Sequence, residues 1–202
     1  YALSKDVEYS TDFPKGTNAG DYTVWYRIQE TNNYTGEAPA RVTVTISKKP
    51  VAPVIALDRD SFVYDGTAKE PIVTLTEADG TTEIPAGEYT VTYSNNVNVG
   101  ANATVTVTAK PDGNYEFTPV TEPFAISKEQ AKVTTAPEAA GDPLIFRNSD
   151  QNLVTPGAGT GGTMVYRVGD TGGFSPGIPR ETNAGVYKVY YKVQGDGNHS
   201  DS

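Results

Sequence analysis

Few residues of this 202-residue chain belong to types that perform catalysis. Cysteine is absent and His199 is the only histidine, so a nucleophilic relay has a single candidate base and no thiolate. Disulfides and cysteine-based zinc sites are excluded for the same reason. Gly157-Ala158-Gly159-Thr160-Gly161-Gly162 has the glycine content of a phosphate loop, but no Lys-Ser/Thr follows and no helical pattern begins there. It reads instead as a flexible hairpin connection. The carboxylates are scattered, whereas glycoside hydrolysis needs two of them about 5–9 Å apart in a cleft. No catalytic, cofactor-binding or metal-binding residue is assigned, and the chain reads as a non-enzyme.

The residues best suited to binding are aromatic. Trp25, the only tryptophan, lies in the alternating run Asp21 to Ile28, on the side opposite Tyr22, Val24, Tyr26 and Ile28 and beside Arg27. An outward aromatic on a sheet can stack on a sugar ring or dock a partner. Tyr190, flanked by Lys188 and Lys192, stands at the matching place later in the chain. Trp25, Arg27 and Tyr190 are therefore the candidate contacts for a ligand or for a neighbouring module, and cover for a neighbouring strand is the reading we favour.

These residues are placed by strands, and the strands by a repeat. Segment 1–37 aligns without a gap on 166–202, an offset of 165, with about a third of the positions identical. Thr17-Asn18-Ala19-Gly20 meets Thr182-Asn183-Ala184-Gly185, and Tyr22, Val24 and Tyr26 meet Tyr187, Val189 and Tyr191. A weaker echo falls at half that spacing. Asn98-Val99-Gly100 resembles Asn18-Ala19-Gly20, Gly113-Asn114-Tyr115 resembles Asn32-Asn33-Tyr34, and Ile126-Ser127-Lys128 repeats Ile46-Ser47-Lys48. A fixed period means an array of like units. The array reads as A-B-A: residues 1–47 the C-terminal half of an A-type module, 48–128 a complete B-type module, and 129–202 an A-type module lacking its last strand.

Within the modules, alternation of Thr, Val and Tyr marks strands at 21–28, 41–46, 88–94, 103–109 and 186–193, separated by Asp-Gly and Asn-Asn turns. The fold class that follows is all-β, with antiparallel β-sandwich modules in tandem, arranged end to end. The joints Ser47-Lys48-Lys49-Pro50 and Ser127-Lys128-Glu129-Gln130 are short, so an elongated rod is expected. They are basic or neutral, which argues against calcium between modules.

Asn18-Ala19-Gly20-Asp21-Tyr22-Thr23-Val24 resembles the tyrosine corner of immunoglobulin domains, with Val24 where their cysteine stands. Asn183 to Val189 repeats it. Asn18, Gly20, Tyr22, Asn183, Gly185 and Tyr187 are thus expected to be structural. More broadly, Val63-Tyr64-Asp65-Gly66-Thr67-Ala68-Lys69, Glu88 to Asn96 with Asn98-Val99-Gly100, Gly113-Asn114-Tyr115 and Phe124-Ala125-Ile126 resemble the MBG- and YDG-type immunoglobulin-like repeats of bacterial cell-surface proteins. Gly161 to Tyr166, Thr182 to Tyr191 and Gly195 to His199 carry the same resemblance in the last module. It implies a stalk or adhesin segment outside the cell, attached to the surface or wall, without catalysis. The alternative is a module that binds a glycan or a host protein through an exposed aromatic.

Charge narrows the partners. A formal net charge of -9 lacks the basic patch that nucleic acid requires and disfavours anionic membranes. No apolar run is long enough to insert. The expected partners are neighbouring repeat modules, and in the alternative a host protein or glycan. A strand-complemented oligomer is a further expectation, since 129–165 of one chain and 1–47 of another add up to one A module.

Overall fold

Branched and aromatic side chains pack well on a pleated, half-buried surface, so the alternating runs settle as strands. A computed structural model describes residues 1–100 and 102–202. The fold is nearly all β, and among the described residues its helical element is a single 3-10 turn, Ala86–Glu88. The strands are β1 Gly20–Tyr26, β2 Ala40–Ile46, β3 Lys49–Pro50, β4 Val54–Leu57, β5 Ser61–Val63 and β6 Val73–Thr76. There follow β7 Tyr89–Ser94, β8 Ala103–Ala109, β9 Tyr115–Glu116, β10 Val120–Ser127, β11 Glu129–Gln130 and β12 Lys132–Thr135. The last are β13 Gln151–Asn152, β14 Ala158–Thr160, β15 Gly162–Val168, β16 Arg180–Glu181, β17 Val189–Gly195 and β18 His199–Ser200.

The chain divides into two compact units. Unit 1 comprises Tyr1–Asp58, Ile72–Thr92 and Val105–Glu122; unit 2 comprises Arg59–Pro71, Tyr93–Thr104 and Pro123–Ser202. Strands β7, β8 and β10 contribute residues to both, within a four-stranded sheet ordered β5-β10-β8-β7.

In unit 1, β1 and β2 pair antiparallel from Gly20 opposite Ile46 to Tyr26 opposite Ala40. Ala2 adds two backbone bonds to Trp25, at 2.9 and 2.8 Å. β4 pairs with β6, and β3 runs parallel to β9. The core gathers around Leu75, Ile84, Val105 and Val107, all nearly inaccessible, while the threonines between the β8 valines are half-buried. Among the described residues of 1–47, Ala2 is the only buried apolar side chain, and Val42 and Val44 stay half exposed, at 49% and 50%.

In unit 2, β12 pairs with β14, β13 with β16 and β15 with β17, all antiparallel, whereas β5 runs parallel to β10 and β11 parallel to β18. Val165, Tyr166 and Val193 are buried on the β15–β17 pair, Val165 on the face opposite Tyr166 and Val193, and Phe124 and Ile126 are buried on β10. The 165-residue offset is visible in backbone bonds. Ala2 opposite Trp25 recurs as Arg167 opposite Tyr190, and the bond from Glu37 N–H to the Ile28 carbonyl (3.2 Å) recurs from Ser202 to Val193 (3.0 Å).

Three expectations change. Pairing is not antiparallel throughout, since three pairs are parallel and short strands at both joints make two of them. The strand expected at 186–193 begins at Val189. In the matching segment β2 holds the earlier residues straight, and residues 186–188 have no such partner strand among the described residues. The glycine run at 157–162 is not a loose hairpin. Gly159 lies against Val193 and Gly162 against the Gln194 carbonyl, closer than a Cβ would allow. The packing selects glycine there.

Leu75→Ala should lower the unfolding free energy by about 2–5 kcal/mol, the usual cost of emptying a buried leucine site. Ile72→Ala, at a side chain 69% exposed, should change it little. Urea titration followed by tyrosine and tryptophan fluorescence reads both.

Candidate functional site

Residues 18–20 and 98–100 are two copies of an Asn-x-Gly loop, and both depend on a glycine with positive φ, +146° at Gly20 and +147° at Gly100. That turn aims the N–H of the middle residue out of the loop, where it needs an acceptor. An asparagine from the next segment supplies one in each case. The Ala19 N–H donates to Asn114 Oδ1 at 2.7 Å, and Asn114 Nδ2 donates to Asn18 Oδ1 at 3.4 Å. The Val99 N–H donates to Asn198 Oδ1 at 2.8 Å, and Asn198 Nδ2 donates to Asn98 Oδ1 at 3.0 Å. The first clasp lies wholly in unit 1 and the second wholly in unit 2.

The surroundings repeat as well. Lys48 Nζ donates to the carbonyls of Lys110 (3.3 Å) and Pro111 (2.5 Å). Lys128 Nζ donates to those of Asp196 (3.1 Å) and His199 (3.2 Å). After each lysine a two-residue strand adds to the clasp loop. Lys49 N–H bonds the Asn114 carbonyl and Val51 N–H the Glu116 carbonyl. Glu129 and Ala131 do the same to Asn198 and Ser200. Each joint is thus a lysine over loop carbonyls, a short parallel ladder and an asparagine clasp.

The carboxylate beside each clasp differs. Glu88 accepts from the Asn114 backbone N–H and, at 2.9 Å, from Asn114 Nδ2. The backbone bond first and the side-chain bond second hold the Glu88 carboxyl below its ordinary value. These bonds also fix which way the Asn114 amide points, because only its nitrogen can donate to a carboxylate. At the second joint Asp196 Oδ1 accepts from the backbone N–H groups of Asn198 (2.8 Å) and His199 (3.0 Å) and bonds His199 Nδ1 at 2.7 Å. The His199 ring, first among these bonds, holds the Asp196 carboxyl low. It meets Tyr64 edge-on at 5.2 Å. A second carboxylate, Asp65, closes the Tyr64-Asp65-Gly66 turn by pairing with the buried Lys69 and with Thr67, and these partners hold it far below the carboxylate range.

The residues singled out from the sequence fall into two groups. The Tyr22 hydroxyl donates to the Asn18 carbonyl at 2.8 Å, and the Tyr187 hydroxyl to the Asn183 carbonyl at 2.9 Å. Gly20 and Gly185 lie in these same loops. The tyrosines therefore brace two Asn-x-Gly loops, one of which carries a clasp. Trp25, Arg27 and Tyr190 do not form a free aromatic platform. Trp25 is half-buried, with Lys5 6.0 Å and Arg41 5.6 Å from its ring. Arg27 covers Tyr9 at 4.6 Å. The Tyr190 hydroxyl bonds Asp170, which raises its pKa, and Arg167 lies 5.0 Å from the ring. The indole that alternation turned outward is capped by cations from its own segment.

Asn114, Asn198, Lys48, Lys128 and Glu88 were not singled out as functional residues, although the Gly-Asn-Tyr echo and the repeated Ile-Ser-Lys held the signal. Among the described residues no group of three or more His, Cys, Asp or Glu side chains could hold a metal. A groove of about 570 Å³ in unit 2 is lined by segments 137–154 and 181–189, with Asp142 and Glu181 as its carboxylates.

Asn114→Ala removes the acceptor for the Ala19 N–H and should destabilise by about 1–3 kcal/mol, the range for a partly buried group left unpaired. Asn198→Ala should act alike through Val99. Glu88 binds its proton more weakly in the folded chain than in the unfolded one. Its contribution is therefore complete above the ordinary value of 4.5 and is lost as pH falls below it toward the folded-state value. The stability gap between the native chain and Glu88→Gln should accordingly shrink from about pH 5 to pH 3, where the unfolded carboxylate titrates. Denaturant titrations across that range measure it. Comparison with known proteins finds no counterpart: no family model, no curated protein and no solved structure matches the chain.

Proposed function

We propose that this chain is a non-catalytic spacer: tandem immunoglobulin-like β modules forming part of a stalk or adhesin region of a bacterial surface protein. The observation that carries the reading is the joint, built twice from the same parts at matching points of the chain. A spacer must transmit position from one module to the next, and each joint contributes a side-chain clasp, a lysine anchor and a short parallel ladder rather than a slack linker. The resemblance to MBG- and YDG-type repeats supplies the setting, outside the cell. The cation caps over Trp25 and Tyr190 favour the spacer over glycan binding, because stacking a sugar on either ring would require displacing an arginine or lysine.

The absence of cysteine makes the test clean. Spin labels placed through Thr43→Cys and Thr81→Cys, both exposed and both in unit 1, report the first joint. A single narrow distance distribution in the native background, broadened several-fold by Asn114→Ala, is expected. An equally broad distribution in both would remove stiffness as the joint's purpose. Glycan-array binding abolished by Trp25→Ala would favour the binding module instead.

A further inference from the structure

The Trp25 ring carries two cations at once, with Lys5 Nζ 6.0 Å and Arg41 Cζ 5.6 Å from its centroid, and Arg27 lies over Tyr9 at 4.6 Å. Trp25 and Arg27 share one face of β1, and Arg41 stands opposite Trp25 on β2. All three cations are exposed. None of them makes an ion pair or a side-chain hydrogen bond among the described residues. Four lysines elsewhere are neutralised, Lys49 by Glu77, Lys69 by Asp65, Lys132 by Glu129 and Lys192 by Asp201. A chain of net charge -9 thus leaves three cations on one sheet face without a counter-ion. The arrangement recurs at the 165-residue offset with both partners exchanged. Lys192 lies 4.9 Å from the Phe174 ring where Arg27 covers Tyr9, and Tyr190, with Arg167 over it, stays 37% exposed. What recurs is a cation over an aromatic on an open face. In that copy Asp201 pairs with Lys192, and Asp170 stands where the first copy has Lys5. The uncompensated charge therefore belongs to the first copy.

We propose that this face binds an acidic polysaccharide, whose carboxylate or sulfate groups are held by Arg27, Arg41 and Lys5. The cations close the rings to a neutral sugar, but they are themselves open. Neither guanidinium spends a donor on another residue, and two N–H groups in one plane match a carboxylate or a sulfate. Thr23 and Thr43 stand opposite each other on the same face, two residues from Trp25 and from Arg41. Their hydroxyls can both donate to and accept from those of a sugar. A polyphosphate would use the charge alone, and a neutral glycan the hydroxyls alone. A sugar acid uses both. The negative charge of the chain as a whole does not oppose this contact, because at physiological salt exposed charges more than about 8 Å apart are largely screened. The ligand meets the local cluster.

Trp25 is the only tryptophan, so its emission reports the site directly. Titrating the whole chain with polygalacturonate or with dextran sulfate should give a saturable change in that emission, and neutral dextran should give none. Calorimetry should show the double variant Arg27→Gln, Arg41→Gln binding more weakly by roughly tenfold or more, since two charge-assisted contacts are lost. Arg147→Gln, in an exposed loop away from this face, should bind as the native chain does. A urea midpoint close to the native one establishes that the double variant is folded. No saturable binding of either acidic polysaccharide overturns the site, as does undiminished binding by the double variant. Polyphosphate or poly-glutamate binding as tightly as the polysaccharides overturns the sugar as the ligand. The spacer reading stands or falls on the joint measurement, which none of these results touches.

Discussion

A side-chain amide has the hydrogen-bonding pattern of a peptide group, and both joints of this chain turn on that match. The N–H that an Asn-x-Gly turn projects from its loop meets the carbonyl oxygen of an asparagine whose nitrogen reaches back to the first residue of the turn. No other side chain of that length offers both an acceptor and a donor in one plane. Aspartate would present two acceptors to Asn18 and set a second negative charge against Glu88. Serine is too short to span the gap. The glycine is the other half of the constraint, since φ near +146° excludes a Cβ at low cost. Two residue types, separated by nearly a hundred positions of sequence (95 and 99), specify one contact.

The first joint matters most to residues 1–47, which have little core of their own. Residues 1–47 bury Ala2 and leave Val42 and Val44 half in water. Modules of about 80 residues bury a modest share of their unfolded surface. In repeat arrays stability is shared between intrinsic and nearest-neighbour terms. At both joints the contacts are polar: lysine to carbonyl, amide to amide, and a two-rung parallel ladder. Bonds of this kind are directional. They hold orientation better than an apolar patch of equal strength.

Much of the fold was legible before any coordinate. Alternation located β2, β7, β8 and most of β17, and the valines of β8 lie on the buried face as their period requires. The ungapped offset anticipated the shared pairing of Trp25 and Tyr190. What the sequence withheld was two-body information. Parallel pairs such as β3 with β9 join residues more than sixty positions apart through two or three rungs each, too short to leave a periodic trace. The cover over Trp25 depends on Lys5 and Arg41, and alternation names a face without naming what lies across it. The Gly-Asn-Tyr echo was visible as a likeness. Its role required seeing that Asn114 and Asn198 meet loops about a hundred residues earlier.

The two clasps differ where their sequences differ, and the difference separates what the joint needs from what it tolerates. Glu88, at the end of the 3-10 turn, bonds the side-chain amide of the first asparagine, while Asp196 accepts only the backbone N–H of the second, from within its own turn, and also bonds His199. The anchoring lysine reaches two loop carbonyls in both, although the loops are Lys110-Pro111 in one and Asp196 to His199 in the other. The lysine needs only carbonyl oxygens, which every loop has, so neighbouring residues are free to vary. The asparagine and the turn glycine have no such latitude, because one must mimic a peptide group and the other must adopt a backbone angle that side chains oppose. The same clasp can therefore be built among dissimilar neighbours, as it is at Asn114 and at Asn198.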